Sequence, residues 1–101
     1  MTKLTILYGY PEDTEAFEKY YHEVHLPLAG QMKGIERLEL TRFRPGPDDL
    51  RPAYYRMAEL YFSDDDQLRA TVDSPEGRKA IEDFPNFATG GVTLLAGSVE
   101  G

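Results

Sequence analysis

Residues 53–62, Ala-Tyr-Tyr-Arg-Met-Ala-Glu-Leu-Tyr-Phe, carry apolar or aromatic side chains on both faces of an extended strand, interrupted only by Arg56 and Glu59. Successive side chains in a strand point to opposite faces, so this segment needs cover on both sides. Residues 3–8 make the same demand, with Leu4, Ile6 and Tyr8 on one face and Thr5 and Leu7 on the other. Only two helical regions are available to supply that cover. A helical layer can shield one face of the sheet, and the other face must meet a surface from elsewhere.

The remaining elements follow from their punctuation. Gly9-Tyr10-Pro11 ends the first strand, and Asp13 or Thr14 is placed to cap a helix running to about His25. Pro27 lacks the N–H that would bond Glu23, and it disfavours helical geometry at Leu26. A kinked last turn through Leu28 and Gln31 is expected, closed by Lys33-Gly34. A second strand at 35–44 places Leu38, Leu40 and Arg42 on one side and Arg37, Glu39, Thr41 and Phe43 on the other. Residues 44–52 hold three prolines and read as a loop before the strand at 53–62. Ser63 can cap a second helix that starts on Asp64-Asp65-Asp66 and buries Leu68 and Val72. Ser74 and Pro75 restart a short helix with Ile81 and Phe84 facing inward. A turn-rich connector at 85–91 leads to a final strand at 92–99.

The order β-α-β-β-α-β predicts an α+β fold of ferredoxin-like topology, a four-stranded antiparallel sheet with helices on one face. An apolar sheet face left open marks an interface. The expected solution is a homodimer through the open sheet face, two sheets forming a dimeric α+β barrel. At 101 residues the chain is read as one domain, 1–101. The absence of cysteine removes disulfides, thiolate nucleophiles and Cys-containing zinc sites. A net charge of −7 with scattered basic residues argues against nucleic acid. No run nears the ~18 apolar residues of a membrane span and no signal segment opens the chain; no membrane partner and a cytoplasmic location are expected.

Chemistry concentrates at Tyr20-Tyr21-His22-Glu23-Val24-His25-Leu26-Pro27, which holds both histidines. On a regular helix Phe17, Tyr21, Val24 and Leu28 share the core face and His25 sits at its edge, one turn past Tyr21. His22 turns toward solvent. No nucleophile elbow, Walker loop or dinucleotide fingerprint is present, and two histidines alone do not make a metal site. Histidine is the natural general base near neutral pH, and a tyrosine hydroxyl can donate to a carbonyl or a developing enolate. The pair suits proton abstraction beside a carbonyl with no cofactor and no metal. A structural His25, bonded to a carbonyl freed by Pro27 and favoured by the helix dipole, fits the same residues.

The segments Phe17-Glu18-Lys19-Tyr20-Tyr21 with His25-Leu26-Pro27-Leu28, Ala58-Glu59-Leu60-Tyr61-Phe62, Ser74-Pro75-Glu76-Gly77 and Asn86-Phe87-Ala88-Thr89-Gly90-Gly91 resemble the EthD family, named for an ethyl tert-butyl ether degradation protein. The resemblance spans nearly the whole chain and implies the dimeric α+β barrel. It matches His25 to the family histidine, Tyr21 to the aromatic position before it, and Asn86, Thr89, Gly90 and Gly91 to a connector that shapes the backbone near the pocket or dimer seam. The wider superfamily includes isomerases, cofactor-free monooxygenases and haem-degrading enzymes.

Together these readings lead to a protein that binds a small apolar or aromatic carbonyl compound. The first hypothesis is a cofactor-independent enzyme, an isomerase, cyclase, dehydratase or monooxygenase-like protein, in a degradative or polyketide-type pathway. His25 and Tyr21 would be catalytic, and Tyr55, Arg56, Asn86 and Phe87 would contact substrate. The second is a non-catalytic small-molecule-binding accessory protein of an oxygenase system. A third takes His25 as an axial haem ligand.

Overall fold

Thr2–Tyr8, apolar at Leu4, Ile6 and Tyr8 on one face, forms β1, which pairs antiparallel with β3 (Arg56–Phe62) on one side and β4 (Val92–Ser98) on the other. β2 (Arg37–Arg42) pairs antiparallel with the far side of β3, giving a sheet of order β2-β3-β1-β4. These relations come from a computed structural model that describes residues Met1–Gly101. The topology is the expected ferredoxin-like one. A single chain leaves the sheet open, so a closed barrel requires a second copy.

Register sorts the side chains. Leu4, Ile6 and Tyr8 align with Leu60, Ala58 and Arg56 and with Leu38, Leu40 and Arg42 on the face beneath the helices. The opposite face is mixed rather than apolar. It carries Leu7, Met57, Tyr61 and Leu95, but Lys3 pairs with Glu59 at 2.9 Å and Arg37 with Glu39 at 3.1 Å. Tyr61 donates its hydroxyl to Glu39 at 2.8 Å and lies beneath the Arg37 guanidinium, 4.5 Å from it. The strand pattern alone did not show that these charges would knit into a ladder across the neighbouring strands.

β2 and β3 are shorter than the sequence suggests. One further ladder bond runs from the Phe43 N–H to the Tyr55 carbonyl, after which Pro45, Pro47 and Pro52 supply no donors to extend the pairing.

The helical layer begins at α1 (Thr14–Tyr20), where the Asp13 carboxylate accepts from the Ala16 N–H. The expected kink at Pro27 takes another form. Tyr21–His25 is a π-helical turn, in which the Leu26 N–H reaches back five residues to the Tyr21 carbonyl, and α2 (Leu26–Ala29) follows directly. In a regular helix the Pro27 ring would press on the Glu23 carbonyl and leave it unpaired. A turn widened by one residue just before the proline relieves both problems. It also rotates the faces. Val24, expected inside, is 38% exposed, whereas His25, expected at the edge, is 3% exposed and part of the core.

α3 (Asp65–Asp73) is capped by Asp64, not Ser63, through a bond from the Gln67 N–H. The Asp65 carboxylate accepts from the Thr2 hydroxyl at 2.7 Å, tying the helix start to β1. α4 (Pro75–Glu82) starts as expected, with Ser74 as cap and Pro75 in the first turn. Phe84 is buried, but Ile81 is 37% exposed and correspondingly less inward than its spacing implied. A 3-10 turn (Phe84–Asn86) leads into the connector, whose Gly90 backbone lies against Gly9-Tyr10 at the end of β1.

The core is aromatic at the end where α1, the π-turn and the connector meet. Tyr8 touches the rings of Phe17, Tyr21, Phe84 and Phe87 at centroid separations of 5.5–6.0 Å, three of them edge to face. The helices do not reach the sheet edges. Leu38 and Leu40 on β2 and Leu94 on β4 point to the helix side, yet each is about two-fifths exposed.

Candidate functional site

Between the helical layer and the sheet lies a cavity of about 170 Å³. Its walls come from all four strands and both helical regions, and 19 of its 22 lining residues are hydrophobic. His25, Tyr8 and Tyr21 are the lining residues at the aromatic end that carry polar atoms. Thr71 also lines it, with its hydroxyl donated to the Lys33 carbonyl at 2.7 Å.

The π-turn sets the geometry of His25. A turn that closes on the fifth residue brings side chains four apart closer to alignment than a regular helix does. The Tyr21 and His25 rings accordingly stack at 5.9 Å with 16° between their planes. Phe87 packs against the imidazole at 4.6 Å and Phe84 at 5.2 Å.

The imidazole has one polar partner in this wall, Asp83, which closes α4 and is 6% exposed. His25 Nδ1 lies 3.0 Å from Asp83 Oδ2. Asp83 Oδ1 also accepts from the Tyr20 hydroxyl at 2.6 Å and from Asn86 Nδ2 at 3.0 Å. Burial alone would raise the Asp83 pKa, but the bonds from Tyr20, Asn86 and His25 outweigh it and hold the carboxyl below its usual value. With an ionised carboxylate facing it, Nδ1 must carry the proton, which leaves the lone pair on Nε2. Burial lowers the His25 pKa more than the Asp83 bond and charge raise it. At neutral pH the ring is therefore uncharged and able to accept a proton. This bond replaces the expected contact with a backbone carbonyl released by Pro27.

Tyr21 is fully buried, and burial pushes its pKa up to about 12, against the opposing effect of Arg56. Its hydroxyl therefore stays protonated as a donor. It has no hydrogen-bond partner, and the Tyr8 hydroxyl stands beside it.

The other residues singled out in the sequence fall into two groups. Asn86 and Phe87 belong to the His25 surroundings, Asn86 through Asp83 and Phe87 by ring packing, but neither is in the cavity lining where substrate contact was expected. Tyr55 and Arg56 are not in the cavity lining. Both engage Glu18: Tyr55 donates its hydroxyl at 2.8 Å, and Arg56 Nη1 spans the two carboxylate oxygens at 2.7 and 2.9 Å. Burial alone would raise the Glu18 pKa, but these bonds, with Arg42 nearby, bring it below its usual value. His22 lies on the exposed side, 3.4 Å from Glu18.

Sequence reasoning missed Asp83 and Tyr20. Asp83 is 58 residues from His25, beyond any helical spacing. One signal was available: an acid at the C-terminal end of a helix faces the negative end of the dipole, so its presence there calls for a compensating partner.

The family model described as the EthD domain matches residues 10–91. An uncharacterized 11.0 kDa protein of the thcB–thcC intergenic region of Rhodococcus erythropolis is 37% identical over 95 residues, covering 94% of this chain and 91% of that one. The crystal structure of an EthD family protein from Bacillus halodurans superposes with a TM-score of 0.92 at 32% identity, covering 99% of both chains. Fold alone is shared with SnoaB, a cofactor-independent oxygenase from Streptomyces nogalater, at TM-score 0.66 and 15% identity over 99% of this chain and 92% of that one. Two further neighbours of ferredoxin-like fold are dimeric. The aromatic wall around His25, the connector, all of the helices and the strands β2 and β3 fall within the matched residues, and the chain belongs to the EthD family.

Proposed function

We propose that this protein is a cofactor-independent enzyme that moves a proton on a small apolar carbonyl compound, with His25 as the base. The observation that carries the reading is the pairing of His25 Nδ1 with the buried Asp83 carboxylate on the wall of an apolar cavity. Nε2 would take a proton from the carbon beside the carbonyl, and Asp83 would stabilise the imidazolium that forms. The Tyr21 hydroxyl would donate to the oxygen as enolate charge develops. Returning the proton to another carbon completes an isomerisation; delivering it to a departing hydroxyl completes a dehydration. The cofactor-independent oxygenase of the same fold supports a cavity that works without a bound cofactor.

The test follows exchange of the methyl protons of acetophenone in deuterated buffer by NMR. The wild type should accelerate exchange, and His25→Gln, which keeps a polar planar side chain but no base, should lose about 10²–10⁴-fold of it. The rate should be flat above neutral pH and fall on acidification below about 6.5, because the pKa of the base is lowered from the ordinary histidine value. Binding without exchange would sink the enzymatic reading and leave the accessory binding protein.

The proposed assembly is a homodimer through the open sheet face. Leu7, Met57 and Leu95 offer apolar surface there, and dimeric neighbours of the same fold support it. Native mass spectrometry should report two chains. A monomer at micromolar concentration would refute it.

A further inference from the structure

Three features of the cavity limit what it can hold. The first is size. An apolar protein cavity of about 150 Å³ accommodates benzene, and this one measures about 170 Å³. One six-membered ring with a small substituent fills it, and a second fused ring would extend past the part-exposed Leu38, Leu40 and Leu94 at its rim. The second is charge. No lysine, arginine, aspartate or glutamate is among the lining residues, and the nearby cation, Arg56, is held by Glu18. An anion entering would meet apolar walls and the Asp83 carboxylate behind His25, with nothing to offset its lost hydration.

The third is an unused donor. Buried polar groups in native proteins are hydrogen-bonded almost without exception. The Tyr21 hydroxyl, on a residue with no exposed surface, has no partner while its ring lines the cavity. Besides the neighbouring Tyr8 hydroxyl, the acceptor within reach of that proton is one that the cavity itself contains. Hydrocarbon would leave it orphaned, and one ligand oxygen would satisfy it.

We infer that the cavity is built for a neutral, single-ring compound bearing one oxygen that accepts a hydrogen bond from the Tyr21 hydroxyl. This narrows the substrate class of the proposed function and rests on that reading of the cavity as the reaction site. It disfavours the fused polycyclic compounds of polyketide-type chemistry as substrates, and it disfavours aromatic acids.

Equilibrium binding separates this inference from catalysis. Acetophenone is compared by calorimetry with ethylbenzene (no oxygen), phenylacetate (an anion) and 2-acetylanthracene (three rings), against wild type and Tyr21→Phe. Acetophenone should bind the wild type at least tenfold more tightly than phenylacetate or 2-acetylanthracene. Tyr21→Phe should weaken acetophenone about tenfold and leave ethylbenzene unchanged. The ligand-free variant should melt a few degrees higher, since it loses a hydroxyl with no partner. Equal or tighter binding of the anion or the three-ring ketone overturns the inference. So does failure of acetophenone to bind, or a Tyr21→Phe effect that is absent or the same for ethylbenzene. Selective binding with no proton exchange would leave the inference standing and remove the enzymatic reading instead.

Discussion

Asp83→Asn is expected to lower stability by about 2–4 kcal/mol and to lower proton-transfer activity by about 10²-fold or more. Three donors converge on this carboxylate, from Tyr20, His25 and Asn86. An amide offers one accepting oxygen in place of two and adds an N–H₂ that needs acceptors of its own. At least one buried donor then goes unpaired, at about 1–3 kcal/mol. If the amide N–H₂ faces His25, Nδ1 becomes the acceptor and the ring proton moves to Nε2, so the base disappears while the ring stays in place. Thermal denaturation should show the midpoint falling by about 10 °C or more for a domain of this size. A midpoint within about 2 °C of wild type would show that the carboxylate is not the hub of the wall. The pH dependence carries the same signature. Because the folded His25 pKa lies below its unfolded value, the unfolded chain takes up protons first as pH drops below about 6.5. His25 thus contributes stability above that pH and loses it on acidification toward its folded pKa.

Gly90→Ala should destabilise by about 3 kcal/mol or more, or prevent folding. A Cβ on Gly90 would lie 2.2 Å from the Tyr10 carbonyl oxygen and 2.6 Å from the Gly9 carbonyl carbon, all rigid backbone. Relief requires moving the connector off the end of β1. That movement breaks the bond from the Gly9 N–H to the Gly91 carbonyl at 3.0 Å and the bond from the Glu12 N–H to the Thr89 hydroxyl at 3.0 Å. Gly97→Ala is the control, since a Cβ there meets nothing within 4 Å. Chemical denaturation of the two variants should separate them widely. Similar midpoints would mean that the close approach of connector and strand is not a constraint.

The elements that the sequence made legible are those fixed by local rules. Alternation gave β1, and a cap followed by proline gave the start of α4, because both depend on residues a few positions apart. The site was legible only in part for the same reason. Tyr21 and His25 are four residues apart and were paired at once, but a regular 100° step put Val24 inside and His25 at the edge. The widened turn reverses those two, and its cause, the strain between Pro27 and the Glu23 carbonyl, has more than one relief. Tyr55 was expected to face a ligand because the sheet is rich in tyrosine, and Arg56 either to pair with a neighbour or to hold a carboxylate in the cavity; the structure shows the pairing. Glu18, on α1, engages both, a relation across 37 and 38 residues that no periodicity encodes. Asp83 belongs with these long-range partners.

The π-turn also bears on how this site can vary between proteins. Substitution is the usual way for a site to vary, but here chain length can vary as well. The wider turn takes up one extra residue, so removing one residue between Tyr21 and His25 would let the helix close regularly and leave the side chains beyond the gap facing much as they do now. The histidine would keep its place in the cavity wall while standing three residues, not four, after the tyrosine. Counting residues from the tyrosine is therefore a poor way to find the equivalent ring in a relative; the proline that forces the wider turn is the better landmark.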